Sequence, residues 1–384
     1  MNAKSDDSAA NIYLSIGIFA WNEEEVIART LESLFEQSIF GELKRRGVRC
    51  EVICVLNGCT DRTPEIASKF FEERQNAGWE SKGVFGWVAN LPERGKVNAW
   101  NQFVHSLSAR ESRFHFMLDA DILIHRRETL WNMMRALEED PAASVSVDKP
   151  CKDIAFKTRK TLRERLSLAA ARMTTSADGQ LCGQLYCIRS TVARNIYLPK
   201  DLAACEDGFI KMLVCTDFLT HPVAPERICV AEEAEHIFEA YTSLPAILKN
   251  QKRQMIGQTI VHILVDDYLK KLPLNQRLSL AETLQETERA DPSWLKRLIG
   301  AHLRCTKFFW RLYPGLLSQR FKCLLKLSAI ERVLCFPAAV AGLLVSLVPC
   351  RMAYEALKRG TTDYWPRAER SGFRAENLVA MRPK

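Results

Sequence analysis

The first 120 residues alternate apolar, strand-like runs with helix-like segments, and this alternation restricts the fold more than any other feature of the chain. Ile12 to Ala20 is apolar and β-rich, as expected of a buried strand. Asn22-Glu23-Glu24-Glu25 follows and supplies an N-cap and an acidic first turn, after which Ile27, Leu31, Leu34 and Phe35 recur at helical spacing. Residues 51–56 read as a second strand with Asn57-Gly58 as its turn, and Pro64 sits one step inside a helix running toward Glu73. Residues 84–88 form a third strand, 96–107 a helix and 114–118 a fourth strand. Strands separated by helices predict an α/β domain with a mostly parallel, Rossmann-like sheet flanked by helices. Ligands of such sheets sit at the carboxyl ends of the strands. Asn22-Glu23, Asn57 and the pair Asp119 and Asp121 all fall at such ends.

Asp119-Ala120-Asp121 ends the apolar run Phe114-His115-Phe116-Met117-Leu118. Two carboxylates one residue apart at a strand end converge on a small volume, which is costly unless positive charge lies between them. A hard divalent cation, Mg2+ or Mn2+, meets that need and keeps water and phosphate oxygens as its other ligands. The pair therefore points to a metal-bridged diphosphate, the leaving group of an activated sugar. Taken alone, the same three residues also suit a solvated turn.

The second half of the chain has a different character. The 13 cysteines are scattered singly with no C-x-x-C pair, which argues against a disulfide framework or a zinc site and favours a reducing compartment. The polar, acidic N-terminus lacks the basic and apolar regions of a secretion signal, so the bulk of the chain is expected to face the cytosol. Residues 292–330 contain no Asp or Glu but carry Lys296, Arg297, Arg304, Lys307, Arg311, Arg320, Lys322 and Lys326, interleaved with Trp294, Phe308, Phe309, Trp310, Tyr313 and Phe321. Basic and aromatic side chains on helices suit a membrane interface. A nucleic-acid patch has the same composition, but the next segment favours lipid. Residues 333–350 are uncharged and flanked by Arg332, Arg351 and Lys358-Arg359, at the short end of the roughly 17–25 residues that span a bilayer. A full span and a surface-lying helix both remain open on this pattern. The expected organisation is a disordered terminus at 1–10, an α/β domain at 11–240, a helical region at 241–330, a membrane-associated hydrophobic helix at 331–359 and a tail at 360–384. Membrane lipid is an expected partner, nucleic acid is not, and the expected location is the cytoplasmic face of the inner or plasma membrane.

Five short motifs in order resemble those of the family-2 inverting glycosyltransferases, which have a GT-A fold. Phe19-Ala20-Trp21-Asn22-Glu23-Glu24 is similar to the family's P-A-Y-N-E-E, and Val55-Leu56-Asn57-Gly58-Cys59-Thr60-Asp61 to its V-D-D-G-S-T-D. Gly95-Lys96-Val97-Asn98-Ala99-Trp100-Asn101 matches G-K-x-x-A-x-N, Asp119-Ala120-Asp121 matches D-x-D, and Glu206-Asp207 resembles the family's E-D. Gln251-Lys252-Arg253-Gln254-Met255 occupies the place of Q-x-x-R-W but lacks its Arg and Trp. Gly183-Gln184-Leu185-Tyr186 resembles the stretch that lines the acceptor side of the cleft.

The resemblance covers roughly residues 11–260 and implies roles. Ala20, Asn22, Glu23 and Asn57 would hold the base and ribose of a nucleotide-diphosphate sugar, a UDP-sugar by preference. Lys96, Gln251 and Arg253 would meet its diphosphate. Asp121, with Asp119, would coordinate the metal. Asp207, with Glu206 second, would be the general base toward a hydroxyl of a glycan or polyprenyl-linked acceptor. Leu56 and Asn57 stand where the family commonly has carboxylates, which leaves the base unassigned. A nucleotidyltransferase would need a Gly-rich phosphate loop after the first strand, and Trp21-Asn22-Glu23-Glu24 is not one. A catalytically inactive, membrane-anchored nucleotide-sugar-binding protein is the other alternative. It rests on Asn57 and on the altered Gln251 motif.

Overall fold

The computed structural model describes residues 12–161, 164–165, 168, 179–202, 205–241, 243–312 and 329–361. The expected disordered terminus, Tyr313, Arg320, Phe321, Lys322, Lys326 and nearly all of the tail lie outside the described residues.

Eight strands form one sheet: β1 (Ile12–Ala20), β2 (Arg49–Asn57), β3 (Val84–Leu91), β4 (Phe114–Asp119), β5 (Leu123–Ile124), β6 (Val145–Lys152), β7 (Leu185–Arg189) and β8 (Ile228–Phe238). Their order is β3-β2-β1-β4-β7-β6-β8-β5. β1 runs parallel to β2 and β4, and β2 parallel to β3. β7 is inserted antiparallel between β4 and β6, β8 runs parallel to β6, and β5 closes the order antiparallel to β8. The sheet is therefore mixed where the strand–helix alternation predicts a mostly parallel one. Leu185-Tyr186-Cys187-Ile188 is a short buried apolar run that reads the same in either direction. Its polarity is set by where the chain re-enters the sheet, which local pattern does not encode.

Helices α1 (Ile27–Phe35), α2 (Ile39–Arg45), α3 (Thr63–Asn76) and α5 (Thr129–Glu139) cover one face, packing Leu31, Leu34, Phe71 and Met133 against Leu14, Ile16, Ile18 and Phe116. The other face buries Trp100 and Phe103, from α4 (Lys96–Gln102) and the turn after it, against Phe209 and Leu213 of the Glu206–Cys215 helix and Ile260 of the Leu244–Ile263 helix.

The first helix starts later than the sequence suggests. It opens at Ile27 without a side-chain cap. Asn22 adopts a left-handed conformation (φ +56°), and its amide is engaged across the sheet, donating to Thr60 Oγ1 at 3.0 Å and accepting from the Thr60 amide at 2.7 Å. A long-range tie between the ends of β1 and β2 thus takes the side chain that local propensity assigns to a cap.

Beyond residue 240 the described chain is helical, as Leu244–Ile263, Leu274–Leu278, Leu280–Ala290, Trp294–Cys305 and Ala329–Arg359. Among the described residues no helix is long and apolar enough to cross a membrane. Many side chains in the first half of the Ala329–Arg359 helix lie outside the description. In its second half, Cys350, Ala353, Tyr354 and Leu357 bury into the same core as the Leu244–Ile263 helix.

Candidate active site

The ends of β1, β2 and β4 converge at the point where strand order reverses, the place where doubly wound sheets open a crevice. The framework there is backbone held by side chains. Asn57 is almost completely buried; its Nδ2 donates to the Ala20 carbonyl at 3.3 Å and its Oδ1 accepts from the Gly95 amide at 2.7 Å. Gly95 has φ +145°, a conformation that L side chains rarely adopt, and it delivers Lys96 to the first position of α4. Glu23 is buried beside Thr63, whose hydroxyl accepts from the Glu23 amide at 2.7 Å. Asp61 accepts from the Thr63 amide at 3.0 Å in the first turn of α3. The Arg94 guanidinium lies 3.5 Å over the Trp21 ring at the mouth of this region.

Deeper in, Lys96 is the hub. Its Nζ lies 2.6 Å from Asp119 Oδ1 and 2.9 Å from Glu206 Oε1, and donates to the Gly183 carbonyl at 3.0 Å. Burial opposes the Lys96 charge, but the two carboxylates outweigh it and raise its pKa above the usual lysine range. Burial drives the Asp119 carboxyl up to about 7 against the pull of Lys96, with Asp121 adding to the rise. Burial also works against ionised Glu206, yet Lys96 prevails and holds it below the ordinary range. Asp207 is raised, by burial first and by the neighbouring Glu206 charge second; its Oδ1 accepts from the Gly208 amide at 2.7 Å. Arg253, on the Leu244–Ile263 helix, exerts its charge on Glu206, Asp207 and Tyr241.

Of the residues singled out by sequence, the structure therefore gathers Lys96, Asp119, Asp121, Glu206, Asp207 and Arg253 into one electrostatic neighbourhood. Ala20, Asn22 and Asn57 belong to the adjoining framework. Gln251 sits two residues before Arg253, and its buried Oε1 has no hydrogen-bond partner among the described residues. Two side chains and one backbone contact went unread in the sequence. Thr30 Oγ1 lies 2.8 Å from both the Ala120 and Ile122 carbonyls and braces the turn that carries Asp121. The signal was available, since Thr30 is a hydroxyl on the buried stripe of α1. Gln184 accepts from the Asp119 amide at 2.9 Å through its carbonyl, which no side-chain pattern announces. Tyr241 is half-buried within reach of the Asp119, Asp121 and Arg253 charges, and no spacing points to it.

Four carboxylates (Asp119, Asp121, Glu206 and Asp207) face two cations (Lys96 and Arg253), so the rim carries excess negative charge. Among the described residues no three His, Cys, Asp or Glu side chains are arranged to hold an ion by themselves. An open set of one or two carboxylates with excess negative charge fits a divalent ion that takes its remaining ligands from water and diphosphate.

Residues 15–191 match the model of glycosyl transferase family 2. The chain carries a family-2 glycosyltransferase domain. The matched stretch includes Lys96, Asp119 and Asp121, and Glu206, Asp207 and Arg253 from the chain beyond complete the rim. The family makes it a transferase that draws on nucleotide sugars, and its α/β sheet is GT-A-like. No curated protein matches the sequence. Among solved structures, it is similar to the mannosyltransferase PcManGT from Pyrobaculum calidifontis, solved with GDP-Man and Mn2+ (15% identity, 92% of this chain and 88% of that one, TM-score 0.49). It is also similar to S. aureus TarS 1-349 (16% identity, 91% of each chain, TM-score 0.42). A third is glucosyl-3-phosphoglycerate synthase from Mycobacterium tuberculosis, solved with phosphoglyceric acid (14% identity, 70% of this chain and 83% of that one, TM-score 0.40).

Proposed function

We propose that this chain is an inverting, metal-assisted glycosyltransferase. It moves a sugar from a nucleotide-diphosphate sugar to a hydroxyl of a lipid-linked or cell-envelope glycan at the cytoplasmic face of the inner or plasma membrane. The observation that carries the reading is Lys96, which bridges Asp119 at 2.6 Å and Glu206 at 2.9 Å and so links the D-x-D strand end to the acidic pair that opens the Glu206–Cys215 helix. Side chains separated by more than a hundred residues meet at one rim.

Asp207 is the base. Its carboxylate is raised by burial and by Glu206, which makes it a stronger proton acceptor once ionised. It takes the proton of the acceptor hydroxyl. The freed oxygen bonds to the anomeric carbon while the bond from that carbon to the diphosphate oxygen breaks, its electron pair leaving with the diphosphate. Base and leaving group lie on opposite faces of the sugar, so configuration inverts. Lys96 holds Asp119 and Glu206 in place and, with Arg253, sets fixed positive charge at the rim where the leaving group gains negative charge. Asp121, with Asp119, would hold Mg2+ or Mn2+, which supplies Lewis acidity toward the diphosphate.

The test is release of nucleoside diphosphate by the full chain across a panel of nucleotide sugars, with and without Mn2+, with and without glycan acceptors. Asp121→Asn is expected to abolish turnover while leaving the unfolding transition in place. Unchanged turnover in that variant refutes the metal role. Donor binding without turnover under every condition would instead mark a binding module.

A further inference from the structure

The Ala329–Arg359 helix shows two faces of opposite kind. Cys350, Ala353, Tyr354 and Leu357 are packed into the core. On the other side Leu344, Val345 and Val348 are 59%, 55% and 51% exposed, and Met352 continues the same i, i+4 ridge at 41%. Large aliphatic side chains more than half exposed in a row are what a soluble surface avoids, so a contiguous ridge of them marks a docking face. Arg351 is exposed within this ridge, and Lys358 and Arg359 are exposed at its end.

A basic and aromatic segment packs on the opposite, core-facing side of the same helix. Phe308 and Trp310 are exposed and stacked on one another, with centroids 4.7 Å apart and ring planes 13° from parallel. The Arg311 guanidinium lies 5.8 Å over Phe308. The backbone of this segment is tied to the core-facing side of the helix: Cys350 Sγ donates to the Phe309 carbonyl at 3.2 Å, and Tyr354 donates through its hydroxyl to the Thr306 carbonyl at 3.1 Å. Arg304, Lys307 and Arg311, in the same stretch, are exposed, and residues 292–330 contain no acidic side chain.

We infer that the Leu344–Met352 ridge seats on an anionic lipid bilayer, its helix lying in the headgroup plane without spanning it, while the 306–311 segment, tied to the far side of the helix, stays off that contact. The inference rests on the membrane location proposed above and names the surface responsible. Charge complementarity selects the occupant. An aliphatic ridge flanked by Arg351, Lys358 and Arg359, with Glu355 paired to Arg359 at 3.8 Å, matches the layered chemistry of an anionic interface, apolar below and phosphate above. A second copy of the chain would bring the same basic surround against itself.

Flotation of the full chain with vesicles tests this. Phosphatidylcholine vesicles containing phosphatidylglycerol are expected to bind the protein, pure phosphatidylcholine to bind it at least tenfold more weakly, and added salt to weaken the anionic case. Val345→Glu/Val348→Glu is expected to lower binding more than tenfold with nucleoside diphosphate release from a soluble acceptor unchanged. If that variant misfolds, Arg351→Gln/Lys358→Gln is expected to remove the preference for anionic vesicles. Absence of vesicle binding by the wild-type chain overturns the inference, as does wild-type binding by a folded Val345→Glu/Val348→Glu variant. So does a dimer in light scattering that the same substitutions dissolve in the absence of any vesicle binding. Each of these outcomes leaves the transferase reading standing, because donor turnover is measured without lipid.

Discussion

The sheet rim and the Ala329–Arg359 helix break the ordinary distribution of polarity in opposite directions. At the rim, charge is taken out of water: Lys96, Asp119 and Glu206 are nearly buried and satisfied chiefly by one another. On the helix, apolar side chains are left in water although the same helix buries Tyr354 and Leu357 a turn away. Buried charge is costly to maintain, and an exposed aliphatic ridge forgoes stabilisation. Each departure therefore marks a place where something outside the chain completes the arrangement, polar and charged in one case and apolar in the other.

The largest effect expected on this contrast is at Asp207. If the rim exists for chemistry, Asp207→Asn lowers kcat by about 10²–10⁴-fold, the usual contribution of a positioned base, with donor affinity within about twofold of wild type. Isothermal titration of the donor beside steady-state kinetics separates the two. Lost donor affinity with preserved kcat would move Asp207 to the binding set. Lys96→Met comes next. It strands Asp119 and Glu206 in a buried site without their shared cation, and breaking one partner from a buried pair costs roughly 3–5 kcal/mol. Urea unfolding should show a loss of that order, partly restored by adding Glu206→Gln. An unchanged midpoint would mean that the rim is wetter than its geometry implies.

These two residues also show how much of the site the sequence displays. β1 spans Ile12–Ala20 as its apolar run predicts, and Pro64 lies in the first turn of α3 as expected. Strand ends are legible because a buried strand must end where polarity returns. Asp119 stands out because it ends an apolar run, and Lys96 and Asp207 because their surroundings resemble G-K-x-x-A-x-N and E-D. What stays hidden depends on contacts distant in sequence. Asn22 looks like a helix cap until Thr60 is brought beside it. Asn57 looks like a free amide until Ala20 and Gly95 occupy both of its ends. The reversed strand β7 and the Gly183 and Gln184 carbonyls involve backbone, and backbone carries no residue-specific signal.

A smaller effect separates structural charge from catalytic charge. His236 and Asp148 are completely buried, with Nδ1 2.7 Å from Asp148 Oδ2. Burial alone would lower the imidazole pKa, but the Asp148 charge and its hydrogen bond to the ring override burial and hold His236 up at about 10. A group raised above its unfolded value of about 6.5 contributes stability that is complete below that value and is lost as pH climbs toward 10. Asp119, raised to about 7, has finished most of its own titration by then. Between pH 8 and 9 unfolding free energy should therefore fall, by no more than about 1.4 kcal/mol per pH unit for one proton. Asp148→Asn should flatten that slope while leaving the acid rim intact. A slope unchanged in the variant would assign it to other groups.

Gly183→Ala should have the smallest effect and discriminates most finely between the two kinds of region. A Cβ at Gly183 would lie 3.2 Å from Asp207 Cβ and 3.4 Å from Glu206 Oε1, tighter than ordinary contact. The added methyl meets nothing that must unfold, but the acid pair must give by a few tenths of an ångström. Reactive geometry is far less tolerant than packing: a misplacement of about 1 Å can cost 10²-fold in rate. A shift of this size is expected to lower kcat about tenfold while the unfolding midpoint stays close to wild type. The paired substitution on the exposed ridge, Val348→Ala, should leave both quantities unchanged. If Gly183→Ala left kcat untouched, the close approach of Gly183 to Asp207 would be a packing detail, and the position of the base would be looser than the mechanism requires.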